Sequence, residues 1–355
     1  MKTIQLLRGL SFCVFATGVP AQTPSPLLSH PLKEVRSLSR VIPRVVAQSS
    51  PWVVTVETFG GVRRSTLGGS QRPGRPKKPK KGLGPLKLAG FLQAQGTSTG
   101  IIVGREGWIL TTRFVLNFHP TTILVSLADG RKFTAKKMGE DQGRGIALLK
   151  VAAKDLPVPE MVPSNKMRVG QWVFALGRSF GPKLPTVHAG ILSGLGRIHG
   201  KAIQCDANTS PANYGGPLVD LKGRALAIVV PLSPNGDMAG ADWYDSGIGF
   251  GVPLHDLAPI LAELKKGRIF ERPFLGVRMD PMFLGPGGRI LSVLKDSPAW
   301  QAGLSKGDIL LAVNGIKARN GMHVQDLIGY HSKGDFVPLE FKKKDGVKGR
   351  VLVEL

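Results

Sequence analysis

The chain has 355 residues, of which 42% are hydrophobic, and a mean hydropathy of +0.03, values that fit two or three water-soluble globular domains and exclude a bundle of membrane helices. Lys and Arg outnumber Asp and Glu by 48 to 24, a formal charge of +24. Such an excess attracts polyanions (nucleic acid, anionic lipid headgroups, acidic envelope polymers) without choosing among them.

In chain order, residues 1–21 read as a secretory leader. Lys2 and Arg8 supply the positive start, Leu10 to Val19 a short apolar core, and Val19-Pro-Ala21 the small residues before a cut at Gln22. That core falls short of the roughly 20 apolar residues that span a bilayer, so the expectation is an exported chain in the periplasm or another extracytoplasmic space. Cys13 leaves with the leader, and Cys205 then stands alone as a buried structural thiol in an alternating strand pattern. Residues 22–40 form a mobile N-terminal segment, rich in Pro and Ser up to residue 33. Val35, Leu38, Val41, Ile42, Val45 and Val46 recur at helical spacing, which predicts a short amphipathic helix with a break at Pro43.

Trp52 to Glu57 reads as the first strand of a domain spanning 41–266. Residues 58–94 interrupt it with Arg63, Arg64, Arg72, Arg75, Lys77, Lys78, Lys80, Lys81 and Lys87, no acidic residue, and many Gly and Pro. An insertion of this length is either a solvated loop or a functional one. In the functional reading Arg72, Arg75, Lys77, Lys78, Lys80 and Lys81 contact a polyanion by counterion release. Phe59 and Phe91 lie only at its edges, so the interleaved aromatics of base stacking are missing. From 95 to about 253, short apolar runs alternate with turns such as Asp129-Gly130, Gly143, Gly181 and Pro234-Asn-Gly236, spacing that suits two antiparallel barrels. Leu254, Leu257, Ile260, Leu261 and Leu264 share one face of a helix up to Lys266, and 267–273 reads as a linker.

The organising stretch is Ser210-Pro-Ala-Asn-Tyr-Gly-Gly-Pro-Leu218, between apolar strands at Ala202–Cys205, Leu218–Leu221 and Ala225–Val230, with Asp220 to Gly223 as a hairpin turn. A Gly-Gly-Pro closing such a loop is where chymotrypsin-like proteases carry their serine. With Gln95-Gly-Thr-Ser-Thr-Gly-Ile-Ile102, Gly107 to Leu116, Leu127-Ala-Asp-Gly-Arg-Lys-Phe133, Gly139 to Lys150, Val173 to Gly181, Gly190-Ile-Leu-Ser193 and Gly247 to Pro253 in the same order, the chain from about Val41 to Gly267 resembles the HtrA/Deg family of exported serine proteases. The resemblance implies a mainly β fold, a chymotrypsin-like double β-barrel. It maps the family's catalytic histidine to Phe114, its aspartate to Gly145 and its serine to Tyr214. Phe114 has no nitrogen to take a proton and Gly145 no carboxylate to orient an imidazole. Tyrosine, with a reference pKa of about 10, is a poor nucleophile without a base. Ala212, beside Asn213 in the oxyanion loop, stands where the family carries a glycine.

Residues 274–355 resemble a PDZ domain of the HtrA type, through Phe274-Leu-Gly-Val277, Ser297 to Leu304, Gly307 to Gly315 and a helix from about Val324 to Tyr330. PDZ domains take extended peptides as an added strand and hold a terminal carboxylate on loop N–H groups. Phe274, Leu275, Gly276 and Val277 would form that edge, and Leu327 and Ile328 the pocket wall. His119 and Ser210 are the nearest candidates for a displaced base and nucleophile. No metal-ligand spacing and no phosphate-cradling loop occur, so neither a metal nor a cofactor is implied.

Three functions follow. The first is an exported pseudoprotease that binds peptides or unfolded proteins with accessible C-termini, as scaffold, chaperone or regulator of active relatives. The second is an active HtrA-type endopeptidase with non-standard residues. The third is an envelope protein that binds an anionic polymer through its basic loop. Trimers are usual in the resembling family, and the basic loop there can join subunit contacts.

Overall fold

The computed structural model describes residues 40–60, 96–116, 119–181, 184–233, 239 and 244–355. The leader, the segment 22–39, the basic residues from Arg63 to Lys87 and the Pro234-Asn-Gly236 turn lie outside the described residues.

The described part of helix α1 covers 40–49 and buries Val45. It runs through Pro43 without the expected break. Six strands follow: β1 (Val53–Phe59), β2 (Gly96–Gly104), β3 (Trp108–Thr112), β4 (Thr122–Ser126), β5 (Lys132–Asp141) and β6 (Ile146–Val151). Neighbours run β5-β4-β1-β2-β3-β6, and β6 also pairs with β5, so the sheet closes into a barrel. The closure comes from β-branched and leucine-rich runs whose interior residues Val54, Val56, Ile102, Leu110, Ile146 and Leu148 lose all solvent contact. Burying each such side chain stabilises the fold by roughly 1.5–3 kcal/mol.

The second barrel contains β7 (Trp172–Gly177), β8 (Thr186–Arg197), β9 (Ala202–Cys205), β10 (Pro217–Val219), β11 (Ala225–Val230) and β12 (Gly249–Pro253), closed in the order β10-β11-β12-β9-β8-β7. The β10–β11 hairpin turns where the sequence places it: the Gly223 N–H donates to the Asp220 carbonyl at 3.0 Å, and the Asp220 carboxylate accepts from the N–H groups of Lys222 and Arg224. The double-barrel expectation holds. Helix α2 (Ala258–Lys265) buries Leu261 and Leu264 after a single turn that buries Leu257.

The predicted linker is partly a strand. Residues Ile269–Phe270, β13, pair in parallel with Glu140 and Asp141 of β5, and the Gln142 N–H donates to the Phe270 carbonyl at 2.9 Å. The chain thus returns to the first barrel before its last unit, formed by β14 (Val277–Met279), β15 (Gly288–Val293), α3 (Pro298–Gln301), β16 (Ile309–Val313), β17 (Ile316–Lys317), α4 (Gly321–Gly329), β18 (Phe336–Lys342) and β19 (Lys348–Glu354). Its sheet runs β14-β15-β16-β18-β19, with β17 on β16, around a core that includes Ile290, Leu310, Val324, Val337 and Leu339. Ser297 caps α3 by accepting from the Trp300 N–H, and Asn320 caps α4 by accepting from the His323 N–H.

Cys205 lies fully buried and free in the second barrel, and burial pushes its thiol up to about 12. In a chain beginning at Gln22, a thiol-specific colorimetric reagent should therefore give no fast reaction with the folded protein and one equivalent after unfolding.

Candidate functional site

Phe114, Gly145 and Tyr214, the positions to which the resemblance maps a triad, converge between the barrels. Phe114 lies in the turn after β3, its N–H donating to Thr112 Oγ1 at 3.1 Å. The carbonyl of Gly145, just before β6, accepts from the Arg113 N–H at 2.9 Å and from Thr112 Oγ1 at 3.2 Å, which ties the two positions side by side. Gly145 has φ +69, a left-handed conformation that glycine adopts without strain. Tyr214 comes from the opposite barrel. Its carbonyl accepts from the Thr99 N–H at 3.0 Å and from Ser98 Oγ at 2.8 Å, so strand β2 of the first barrel holds it in place.

The side chains fill the space those bonds define. The Phe114 and Tyr214 rings meet edge to face with centroids 5.4 Å apart, and Tyr244 meets the other side of Tyr214 at 5.9 Å. Tyr214 is 1% exposed and Phe114 4%. Burial, reinforced by Tyr244 and Asp245, holds the Tyr214 phenol above the usual tyrosine range. The interaction is one of ring edges and faces, and such pairs add about 0.5–1.5 kcal/mol beyond their buried area.

The loop that the resemblance maps to an oxyanion hole bonds to itself. The N–H groups of Asn213 and Tyr214 both donate to the Ser210 carbonyl, at 3.0 and 3.1 Å, and the Ala212 carbonyl accepts from Ser179 Oγ at 2.8 Å. Gly215, at φ +81, and Gly216 pass so near Thr99 and Leu176 that a Cβ on either would strike a backbone carbonyl. His119 is exposed with φ +50, and the Ser210 N–H donates to Asn213 Oδ1 at 3.0 Å; among the described residues no hydrogen bond joins the two. Also among the described residues, no group of three or more His, Cys, Asp or Glu is placed to hold a metal ion, and no helix is long and apolar enough to cross a membrane.

A second concavity, of about 310 Å³, opens beside β14. Phe274, Leu275, Gly276 and Val277 line it, as does Ile328 of α4. Leu327 does not: it packs into the core beneath, and Val324, one turn before Ile328, takes its place on the pocket side. The Leu275 and Gly276 carbonyls are taken by the N–H groups of Ala299 and Leu294, both at about 2.9 Å or less, which fixes the loop at Gly276, where φ is +80.

Comparison with known proteins accords with both parts. The trypsin-like peptidase domain family matches residues 98–228, and the PDZ domain family matches 289–334. A probable periplasmic serine endoprotease, DegP-like, of Hahella chejuensis is 31% identical over 331 residues, covering 88% of this chain and 69% of that protein. The chain belongs to the HtrA/DegP family. The putative serine protease HhoB of Synechocystis is 31% identical over 286 residues, 73% of this chain and 65% of that one. A DegP-like protein of Marinomonas, 33% identical, is matched over 52% of its own length, so the chain spans only part of several relatives. Among solved structures, the serine endoprotease of Yersinia pestis superposes with a TM-score of 0.62 at 26% identity, over 88% of this chain and 96% of that one. The HtrA-type protease AlgW, solved with a decapeptide, gives 0.64 at 25% identity, over 87% and 96%.

Sequence reasoning missed two parts of this HtrA/DegP-type arrangement. Tyr244 completes the aromatic set from the segment before β12, through a contact that leaves no periodicity in the sequence. Lys201 and Arg272 reach the β14 pocket from outside the PDZ-type unit, through a packing of domains that has no periodicity to read.

Because the folded Tyr214 keeps its proton above the unfolded value of about 10, the unfolded chain alone ionises as pH rises beyond that point, and stability falls. Tyr214→Phe should remove that portion of the alkaline loss, up to about 1.4 kcal/mol per pH unit, in denaturant midpoints compared at about pH 8 and pH 11.

Proposed function

We propose that this chain is an exported, non-proteolytic member of the HtrA/DegP family that binds peptides through residues 274–355 and uses its barrels as a scaffold. The observation that carries the reading is the Phe114–Tyr214 contact, 5.4 Å between ring centroids where a base and a nucleophile would have to meet. Phe114 cannot accept a proton, Gly145 offers no carboxylate, and the Tyr214 phenol is held protonated by burial. The inward-facing N–H of Tyr214 is spent on Ser210, which leaves little to stabilise a developing oxyanion. Loss of one triad member can leave about 10³ to 10⁴ of rate over water through the oxyanion hole and binding; the loss of all three, with the Tyr214 N–H engaged, leaves little of it.

The partners in this reading are peptides or unfolded proteins with accessible C-termini, taken as an added strand beside β14. Phe274, Leu275, Gly276, Val277 and Ile328 would contact them, with Val324 in place of Leu327. The names of the DegP-like relatives place those proteins in the periplasm, and the leader at 1–21 agrees with export. In that compartment Arg72, Arg75, Lys77, Lys78, Lys80 and Lys81 would draw anionic envelope polymers. A trimer of this chain, or mixed assembly with active relatives, would make it a regulator as well as a holdase.

The test is cleavage of casein by the purified mature chain, beside a triple variant Phe114→His, Gly145→Asp, Tyr214→Ser. Asp tolerates the left-handed backbone of position 145 better than most residues. The expected result is a native rate equal to the buffer blank and measurable turnover in the triple variant. Native turnover that co-elutes with the chain and disappears with Ser210→Ala or His119→Ala would establish the active-endopeptidase reading instead.

A further inference from the structure

The pocket beside β14 has a wall that does not belong to its own domain. Its floor is apolar, from Leu275, Val277, Val324 and Ile328; Ile198, His199 and Lys201 from the β8–β9 turn of the second barrel complete the lining. The two sides interlock. The His199 ring lies against Gly329, its Nδ1 2.9 Å from Asp326 Oδ1, while the Tyr330 ring lies against Gly200, whose φ is +69. A Cβ on either glycine would run into the facing ring. Lys201 Nζ donates to the His331 carbonyl at 3.1 Å, and Lys333 pairs with Glu271 of the connecting segment.

Lys201 is the unusual member. It is 8% exposed, and among the described residues no carboxylate lies within ion-pair distance of its ammonium. Of the two acids that act on it, Asp141 is engaged by the N–H and guanidinium of Arg144. Burial lowers the ammonium to about 8; Arg144 and Arg272 push the same way, and Asp141 and Asp335 oppose them. An ammonium has three donors, and the structure gives this one a single neutral acceptor. A buried cation so placed at a pocket wall favours an incoming anion, and the overall positive charge raises the local concentration of such ligands.

Resting on the peptide-binding reading, we propose that this groove selects peptides with an apolar C-terminal residue preceded by an acidic one, the acidic side chain pairing with Lys201. A strand added along β14 turns successive side chains to opposite sides. The last side chain fills the apolar floor between β14 and α4. The penultimate one then faces the barrel's wall, where Lys201 waits. The selectivity is therefore built by two domains, and the PDZ-type unit alone lacks half of it.

The experiment is fluorescence anisotropy with the mature full-length chain and three dye-labelled heptapeptides, identical except for ends of Glu-Val, Gln-Val and Lys-Val, each with a free C-terminus. The native chain should bind the Glu-Val peptide about tenfold more tightly than Gln-Val, with Lys-Val weakest, at about 50 mM salt. Lys201→Met, which keeps the apolar stem, should bring the Glu-to-Gln ratio close to one. Equal binding of the three peptides by the native chain, or an unchanged ratio in a folded Lys201→Met, overturns the selectivity. Should Lys201→Met fail to fold, the native order of the three ends decides alone. Binding of all three that survives amidation of their C-termini, or of none of them at any concentration reached, overturns the peptide-binding reading beneath it.

Discussion

The Tyr214 carbonyl is where the two barrels are joined. Thr99 N–H and Ser98 Oγ of the first barrel both donate to it, and Thr111 Oγ1 in turn donates to the Thr99 carbonyl at 2.7 Å. A parallel pair of bonds runs through Arg178, whose N–H donates to Thr99 Oγ1 at 2.8 Å and whose carbonyl accepts from Thr55 Oγ1 at 2.6 Å. These are backbone and hydroxyl interactions, buried and mutually satisfied, and none needs a catalytic side chain. The geometry that brings positions 114, 145 and 214 together is thus independent of what stands at those positions.

That independence explains how the fold accommodates Phe, Gly and Tyr there. A serine, a histidine and an aspartate in this space require water or hydrogen bonds for each polar atom. Two aromatic rings require only shape, and their edge-to-face arrangement meets that requirement while excluding solvent. Gly145 keeps its left-handed turn and its doubly accepting carbonyl, so the second barrel's Leu232 and the first barrel's turn stay close without a carboxylate between them. In the proposed reading, the same local chemistry that stabilises the interface withdraws the groups that hydrolysis needs.

The double barrel was legible because its signals are local and ordered. The strands around Ser210–Leu218 and the Asp220–Gly223 turn fall where apolar runs and turn residues put them. The Ile269–Phe270 strand was not legible, since two residues carry no alternation and their pairing with β5 is long-range. On α4 the sequence offers apolar Val324, Leu327 and Ile328 on adjoining faces, and only packing decides that Leu327 enters the core while Val324 and Ile328 border the pocket. Lys201 reads as one more surface cation in a chain of 48 basic residues, and its burial comes from docking between domains.

The most direct measurement for the central claim is reaction of the folded mature chain with a fluorophosphonate probe for activated serine nucleophiles, read by intact mass and peptide mapping, with an active DegP-type protease alongside. Labelling of the active relative and no adduct on this chain are expected, because Tyr214 is buried and its phenol is held protonated. A stoichiometric adduct on Tyr214, Ser210 or any neighbour in the 206–216 loop would contradict that claim and show that the cleft still holds an activated nucleophile.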